Sequence, residues 1–329
     1  MLVYLFKRMV GAVVLLIAMS FIIFCLQNLI PADPARTLAG PAAPAETIER
    51  IRQQLDLDEP VTVQYEHFMS RLLHGDLGTS VRTRRPVASD VWQYLPATLE
   101  LALVSLVFGV ALGGAIALLH LALPRAAALR LAIVGVGSTP IFLTSLLLAY
   151  FLWFRIGWFP GAGRLSFEEV SGPTGFDLID GILLGRPEIS LDALWHIALP
   201  ALALALPIAV AVGRSLSSAL HDVMRQPYIR TARGKGLDEI SVLLRHGVRN
   251  AATAPLAMVG LQVSLIFGNL IIVERVFAWP GLGSYLVQAF SSADLPAVLG
   301  VAMTFGVFYT LVSILVEIGQ SLADPRIGL

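Results

Sequence analysis

The chain of 329 residues is 56% hydrophobic and only 14% charged, where a soluble domain carries about 25% charged residues. Its 23 Lys and Arg balance 23 Asp and Glu, so no net charge points to nucleic acid, and none is expected as a partner. A lone Cys25 excludes an internal disulfide and a multi-cysteine metal site. The high hydrophobic and low charged fractions make an all-α, polytopic membrane protein the expected class.

A bilayer core of about 30 Å is crossed by roughly 20 apolar helical residues. Six segments meet that length: residues 9–30, 98–121, 131–154, 196–214, 251–273 and 295–320. The first follows Lys7 and Arg8, as a signal peptide would. Its apolar run is longer than the roughly 7–15 residues of a signal core, and "PADPAR" after it lacks a small-x-small cleavage pattern. It is read as a retained helix.

Lys and Arg in short loops stay on the cytoplasmic side. With six spans, Lys7 and Arg8, Arg125 and Arg130, the run from Arg214 to Arg249, and Arg326 all fall on one face. Both termini are therefore expected in the cytoplasm. One missed helix would scatter these charges over both faces.

Residues 31–95 and 155–194 then lie outside. The first has apolar residues at helical spacing on either side of Pro60 and reads as a small folded unit. The second holds "GWFPGAGR", whose Trp158 and Phe159 suit a membrane–water interface, and a candidate interfacial helix over residues 176–184.

Within the spans, Gly135, Gly137 and Pro140 fall in the third, Pro200 and Pro207 in the fourth, and Pro255, Gly260 and Gly268 in the fifth. In lipid, backbone groups freed by such residues must be satisfied by neighbours or water, and small residues let helices approach closely. The pattern favours a packed transport or channel bundle. Gln262 and Asn269, seven residues apart, share one face of the fifth span. They are either a polar stripe along a translocation path or an interhelical hydrogen-bonding pair. Glu274 and Arg275 at its outer end either gate a path or form an interfacial or snorkelling pair. Glu100, Glu317, His120 and His196 are placed at span ends, where polar groups reach water. No two His stand at metal-ligand spacing with carboxylate support, so no metal site is assigned.

The longest inner loop carries "YIRTARGKGLDEISVLLRHGVRN", residues 228–250. Pro227 suits the first turn of a helix, and Gly236 suits its left-handed end. Asp238 is an N-cap candidate for a second helix over residues 239–249. Tyr228, Thr231, Ala232 and Lys235 share one side of the first helix by spacing. A helix with Thr, Ala and Gly can approach another protein closely. Its Arg and Lys either pair with acidic groups or simply mark the inner face.

Gly234-Lys235-Gly236 is not a phosphate-binding loop, because Ile229 holds the first Gly position and Gly236 the Ser/Thr position of that motif. No Ser/His/Asp or paired-carboxylate constellation stands out, so no catalytic residue is assigned. If ATP energises transport, another chain uses it.

The loop "YIRTARGKGL" followed by "LLRHGVRNA" resembles the cytoplasmic coupling loop of ABC-transporter permeases. It is most similar to the inner-membrane permeases for dipeptides, oligopeptides, nickel and glutathione. Their general signature is E-A-A-x-x-x-G; here Arg230, Thr231 and Ala232 hold the first three places and Gly236 the last, with Arg for Glu as a departure. Pro255 is the nearest counterpart of the later I-x-L-P proline. "IPADPAR", "LDLDEPVTVQYEHF", "HGDLGTSVRTRRPV", "LPATLELA", "GWFPGAG", "HIALPALALALP", "VERVFAWPGLGSYLVQAF" and "LADPRIGL" extend the resemblance over nearly the whole chain.

The resemblance implies the six-helix permease fold of a type I ABC importer in a bacterial inner membrane. Residues 1–30 would hold the N-terminal tail and first span, 31–95 an extracytoplasmic domain, and 96–329 the permease core with its coupling loop at 215–250. It implies a second homologous permease subunit as a heterodimer partner, two cytoplasmic ATPase subunits that bind ATP and Mg, and an extracytoplasmic solute-binding protein. No cofactor is expected in this chain. Tyr228, Arg230, Thr231, Ala232, Lys235 and Gly236 would couple to an ATPase, while Gln262, Asn269 and Glu274 are the candidate pathway residues. Short peptides are the expected cargo, with nickel or a metallophore and glutathione as alternatives. An ion-coupled secondary transporter would instead show paired membrane carboxylates or inverted repeats, and an intramembrane enzyme a catalytic pair within a span.

Overall fold

The computed structural model describes residues 2–29, 35–36, 43–54, 57–123, 126–167 and 172–323. Arg125, Arg326, most of "IPADPAR" and the end of "LADPRIGL" lie outside the described residues. Among the described residues the architecture is helical, with one isolated β-bridge between Thr79 and Pro86. In chain order the helices are α1 (Leu2–Leu29), α2 (Ala45–Gln54), α3 (Val61–Leu73), α4 (Val87–Ala122), α5 (Ala127–Ser138), α6 (Ile141–Leu148), α7 (Asp177–Leu183), α8 (Pro187–Val223), α9 (Pro227–Gly234), α10 (Thr253–Val276), α11 (Leu282–Ser291) and α12 (Leu295–Ala323). A π-helical stretch, Ala149–Arg155, continues α6, and a second one, Val242–Val248, lies between α9 and α10.

Four of these helices, α4, α8, α10 and α12, are long and apolar enough to cross a bilayer. The α5–α6 pair passes the same test together but is bent by 110°, which makes a fifth crossing if the pair is one span. In α1 the apolar helical stretch found among the described residues is the shorter Met9–Ile22. The third predicted span is therefore broken rather than straight. Pro140 has no N–H to donate and drives Thr139 out of the helical region, to φ −84° and ψ 126°. The Thr139 hydroxyl bonds back to the Gly135 carbonyl at 2.8 Å.

Two helices run beyond the apolar segments that the sequence marks. Helix α4 begins at Val87 rather than near residue 98, and α8 covers Pro187–Val223 rather than 196–214. Pro187 opens α8 at a first-turn position, where its missing N–H costs nothing. Glu100 and His196 consequently lie inside helices and are buried, not at span ends in reach of water.

The chain divides into two compact units. The first comprises Met1–Leu95 with Tyr285–Thr310. Here α3 packs on α1: Tyr65 and Phe68 approach Phe24 with ring centroids at 5.3 and 5.7 Å, and the Tyr65 and Ser20 hydroxyls meet at 2.9 Å. Two buried carboxylates organise the turns that follow. Asp90 accepts from the hydroxyls of Thr83 at 2.6 Å and Tyr285 at 2.9 Å, while Asp294 accepts from the Ser80 hydroxyl and the Arg82 N–H. Each carboxylate thus satisfies turn donors that would otherwise be buried without partners.

The second unit comprises Pro96–Ser284 with Leu311–Leu329. Its core is built from α4, α8 and α10, with Leu101, Leu204, Ile208, Val212, Ile266 and Leu270 buried together. Lipid tails are as apolar as Leu, so in a bilayer close packing rather than water exclusion holds helices together. Glycines supply that closeness. A Cβ on Gly109 of α4 would lie 2.6 Å from the Ile208 Cβ of α8, and one on Gly213 of α8 would lie 2.8 Å from Ile116.

A charged hub ties the loop after the bent pair to this core. Arg164 contacts Glu100 at 2.6 Å and Asp177 at 2.9 Å, donates to the Gly175 carbonyl, and lies 5.7 Å from the Trp279 ring centroid. Glu100 also accepts from the Leu178 N–H at 2.8 Å. Helix α7 therefore sits where residues 176–184 were predicted to be helical, held by a buried ion cluster whose charges are paired.

Candidate functional site

Two features of the second unit carry functional chemistry. The first is the basic loop. After α8, Gln226 is extended and Pro227 opens α9 at its first turn. The helix stops before Gly236, which adopts φ +83°, a conformation that disfavours any side chain with a Cβ. Asp238 then caps the next helical turn by accepting from the Ser241 N–H at 3.0 Å, as its position predicts. Arg233 and Glu239 pair across the two elements at 2.7 and 3.0 Å. The Ser241 hydrogen bond holds the Asp238 carboxyl below its ordinary pKa, and the Arg233 bond does the same for Glu239.

The exposed face of α9 carries Tyr228, Arg230, Thr231 and Lys235. Ala232 does not belong to it. Together with Ile229 it is buried against Val242, Val223 and Met224. Ile229 and Ala232 lie three residues apart, and that pair forms the anchoring stripe of this short helix. Spacing alone grouped Ala232 with Thr231, but the apolar Ile229 sets which side turns inward. The predicted second helix is present in part: Glu239–Ser241 is α-helical, Val242–Val248 is a π-helix, and Arg249–Ala251 returns to α.

The second feature is a groove of about 850 Å³ between α8 and α10. Pro207, Arg214, Ser215, Ser218 and Asp222 line it from α8, and Gln262 and Asn269 line it from α10. Gln262 faces the groove and also donates to the Pro207 carbonyl at 3.3 Å, an interhelical hydrogen bond. Arg214 stood in the sequence only as a marker of the inner face. Ser215, Ser218 and Asp222 were not singled out, although their i, i+3, i+7 spacing sets them on one side of a helix.

Glu274 lies elsewhere and does not line the groove. Its side chain is 0% exposed and accepts from the Thr98 hydroxyl at 2.7 Å and the Ser284 N–H at 2.9 Å. Arg275 is exposed and makes no ion pair with it. Burial of Glu274 follows from the turn after α10, where Trp279 donates to the Ala97 carbonyl at 2.9 Å and Leu282 donates to the Thr98 hydroxyl at 2.7 Å. The sequence offered one signal for this fold-back, the glycines of "AWPGLGSY". A Cβ on Gly283 would fall 2.7 Å from the Ile271 backbone.

Several apolar helices packed through small residues, with a groove between two of them that carries Arg, Asp, Ser, Gln and Asn, suit a membrane transport component. Comparison with known proteins makes this specific. Residues 94–329 match the family described as binding-protein-dependent transport system inner membrane component, and residues 1–102 match the N-terminal region of such membrane components. The chain belongs to this family and is a multi-pass inner-membrane permease subunit.

Its relatives include the "Probable D,D-dipeptide transport system permease protein DdpB" of Escherichia coli K12, 38% identical over 98% of this chain and 96% of that protein. The glutathione transport system permease protein GsiC of Salmonella choleraesuis is 34% identical over 99% of both chains. The dipeptide transport system permease protein DppB of Alkalihalophilus pseudofirmus is 32% identical, again over 99% of both. Among solved structures, a chain of the MetNI methionine ABC transporter in an inward-facing form matches with a TM-score of 0.50 and 14% identity, covering 74% of this chain and 96% of that one. This last likeness is one of fold.

Proposed function

We propose that the chain forms half of the translocation pathway of an ATP-driven importer of short peptides, with the groove between α8 and α10 as its share of that pathway. The observation that carries this reading is the groove itself. Arg214, Ser215, Ser218 and Asp222 of α8 and Gln262 and Asn269 of α10 converge on it, so polar side chains from two packed helices line one groove. Peptides are taken as cargo because the relatives are named for D,D-dipeptide, dipeptide and glutathione transport. Glutathione, itself a short peptide, is the second reading.

In this proposal α1 and the bent α5–α6 pair each cross once, giving six spans with both termini in the cytoplasm. Residues 31–95 form the outer domain and 96–329 the core. A second, homologous permease chain completes the path as a heterodimer. A solute-binding protein delivers cargo from outside. Two ATPase subunits bind ATP and Mg, each receiving a short helix, and this chain carries no cofactor or metal of its own. Helix α9 with Lys235 and Gly236 is that coupling element, presenting Tyr228, Arg230 and Thr231 to a surface groove on the ATPase. Closure of the ATPases pushes α9 and switches two packed arrangements of the path, a rigid-body change of the kind that interfaces amplify.

Co-expression with the three partner types tests the proposal. The assembly reconstituted in liposomes is expected to hydrolyse ATP faster when peptide-loaded binding protein is added, and the purified chain alone to hydrolyse none. Hydrolysis by the isolated chain, or uptake driven by an ion gradient without ATPase subunits, would overturn it.

A further inference from the structure

Many hydroxyls on the membrane helices are satisfied within their own helix. Ser105, Ser145, Ser264, Thr304 and Thr310 each bond back to the carbonyl four residues earlier on their own helix. That is the ordinary way for a helix to satisfy a hydroxyl. Ser215 and Ser218 do neither this nor anything equivalent among the described residues, and both line the groove. Their neighbours Arg214 and Asp222 are also without an ion pair or side-chain hydrogen bond among the described residues.

Asp222 is placed against the local field. It sits in the last turn of α8, which ends at Val223. A carboxylate there faces the negative end of the helix dipole, where a cation is favoured. His221 and Arg225 are close in sequence, yet neither pairs with it among the described residues. The helix thus holds one free cation and one free anion on a single polar stripe, eight residues apart, which is about 12 Å along the axis at 1.5 Å per residue.

We infer that Arg214 and Asp222 are paired charge stations for a small zwitterion, Arg214 taking a carboxylate and Asp222 an ammonium group. Ser215 and Ser218 supply neutral hydrogen bonds between them. The inference rests on the groove being the translocation path. Size follows from reach. An extended chain covers about 3.5 Å per residue, so the charged ends of peptides of roughly two to four residues are about 7–14 Å apart. With the flexible Arg214 side chain leaning either way, that is the range the stations bracket. The planar guanidinium suits a carboxylate bidentately, in a way an ammonium group does not. Cargo with only one charged end satisfies one station and leaves the other empty.

The test reads the groove directly and bypasses the binding protein. The assembled transporter carrying Ser215→Cys is prepared in inside-out vesicles, and the alkylation rate of that cysteine is measured with and without alanyl-alanine. At about 10 mM, ten times a weak millimolar Kd, the dipeptide is expected to slow alkylation about tenfold. N-acetyl-alanyl-alanine and alanyl-alanine amide are expected to leave the rate unchanged, as is the free dipeptide in Arg214→Gln or Asp222→Asn backgrounds. Arg214→Lys and Asp222→Glu, which keep the charges, are expected to retain part of the protection. Equal protection by the blocked peptides, or no protection by the free dipeptide, overturns the inference even if both charge-removing variants fail to assemble. Uptake by the alkylated transporter separates the two levels. Full uptake after alkylation means the groove is not the path, whereas blocked uptake with indiscriminate protection means the path stands and the charge stations do not.

Discussion

The Thr98 hydroxyl on α4 donates to the Glu274 carboxylate on α10 at 2.7 Å while accepting from the Leu282 N–H at the same distance. One hydroxyl therefore joins two membrane helices to the turn that follows the second. Glu274→Ala strips the acceptor from Thr98 and Ser284 and leaves both buried donors without partners. A loss on the order of 3 kcal/mol is expected. Glu274→Gln keeps an acceptor and is expected to cost less. Thermal unfolding of the assembled complex in detergent checks the order of the two variants.

Packing at the α4–α8 contact predicts a sharp contrast between adjacent glycines. Gly113→Val is expected to reduce folded yield severely, because the first added carbon already falls 3.1 Å from Val212, and overpacking costs about 1–3 kcal/mol. Gly114 has no atom within 4 Å of its added carbon. Gly114→Ala is expected to be neutral or to stabilise by up to about 1 kcal/mol through helix propensity. Membrane expression and size-exclusion profiles of the two variants decide this.

Gly236 predicts a coupling phenotype. Its φ of +83° strains any β-branched residue, so Gly236→Val is expected to redirect the chain leaving α9. Peptide import per ATP hydrolysed should fall several-fold while the complex still assembles. A normal ratio in that variant would remove α9 from the coupling role.

The same loop has a pH dependence whose sign follows from its hydrogen bonds. The carboxyls of Asp238 and Glu239 are held below their ordinary pKa by Ser241 and Arg233. A group with a lowered folded pKa contributes order that is complete above its unfolded value and lost as pH falls through the folded one. Protection of the Ser241 amide, after correction for the intrinsic pH dependence of exchange, is expected to be flat from about pH 6 to 8 and to fall below about pH 4. In Asp238→Asn the acid-induced loss of protection should shrink.

Much of this was legible beforehand for physical reasons. Apolar run length gave α4, α8, α10 and α12, because lipid thickness fixes how many residues a span needs. Pro227, Gly236 and Asp238 each impose a local backbone preference strong enough to survive tertiary context. Other features depend on what a residue meets in space. Glu100 read as a span-end carboxylate in reach of water and Glu274 as a gate or an interfacial partner of Arg275, and only the folded chain brings Arg164 to the first and Thr98 to the second. The starts of α4 and α8 were missed because hydropathy reports the lipid-facing stretch, while helical hydrogen bonding continues through polar residues beyond it. The π-helical Val242–Val248 has no periodic signature to read. The groove's serines were visible as spacing, but serine is too common on helices to stand out until a cavity opens beside it.

The glycine contacts between α4 and α8 leave almost nothing compressible between two backbones. Such a pair behaves as a single strut. In the proposed coupling, force applied at Pro227, a few residues past the end of α8, would travel along that helix instead of dissipating in side-chain rearrangement, and the flexing would have to be found in other joints.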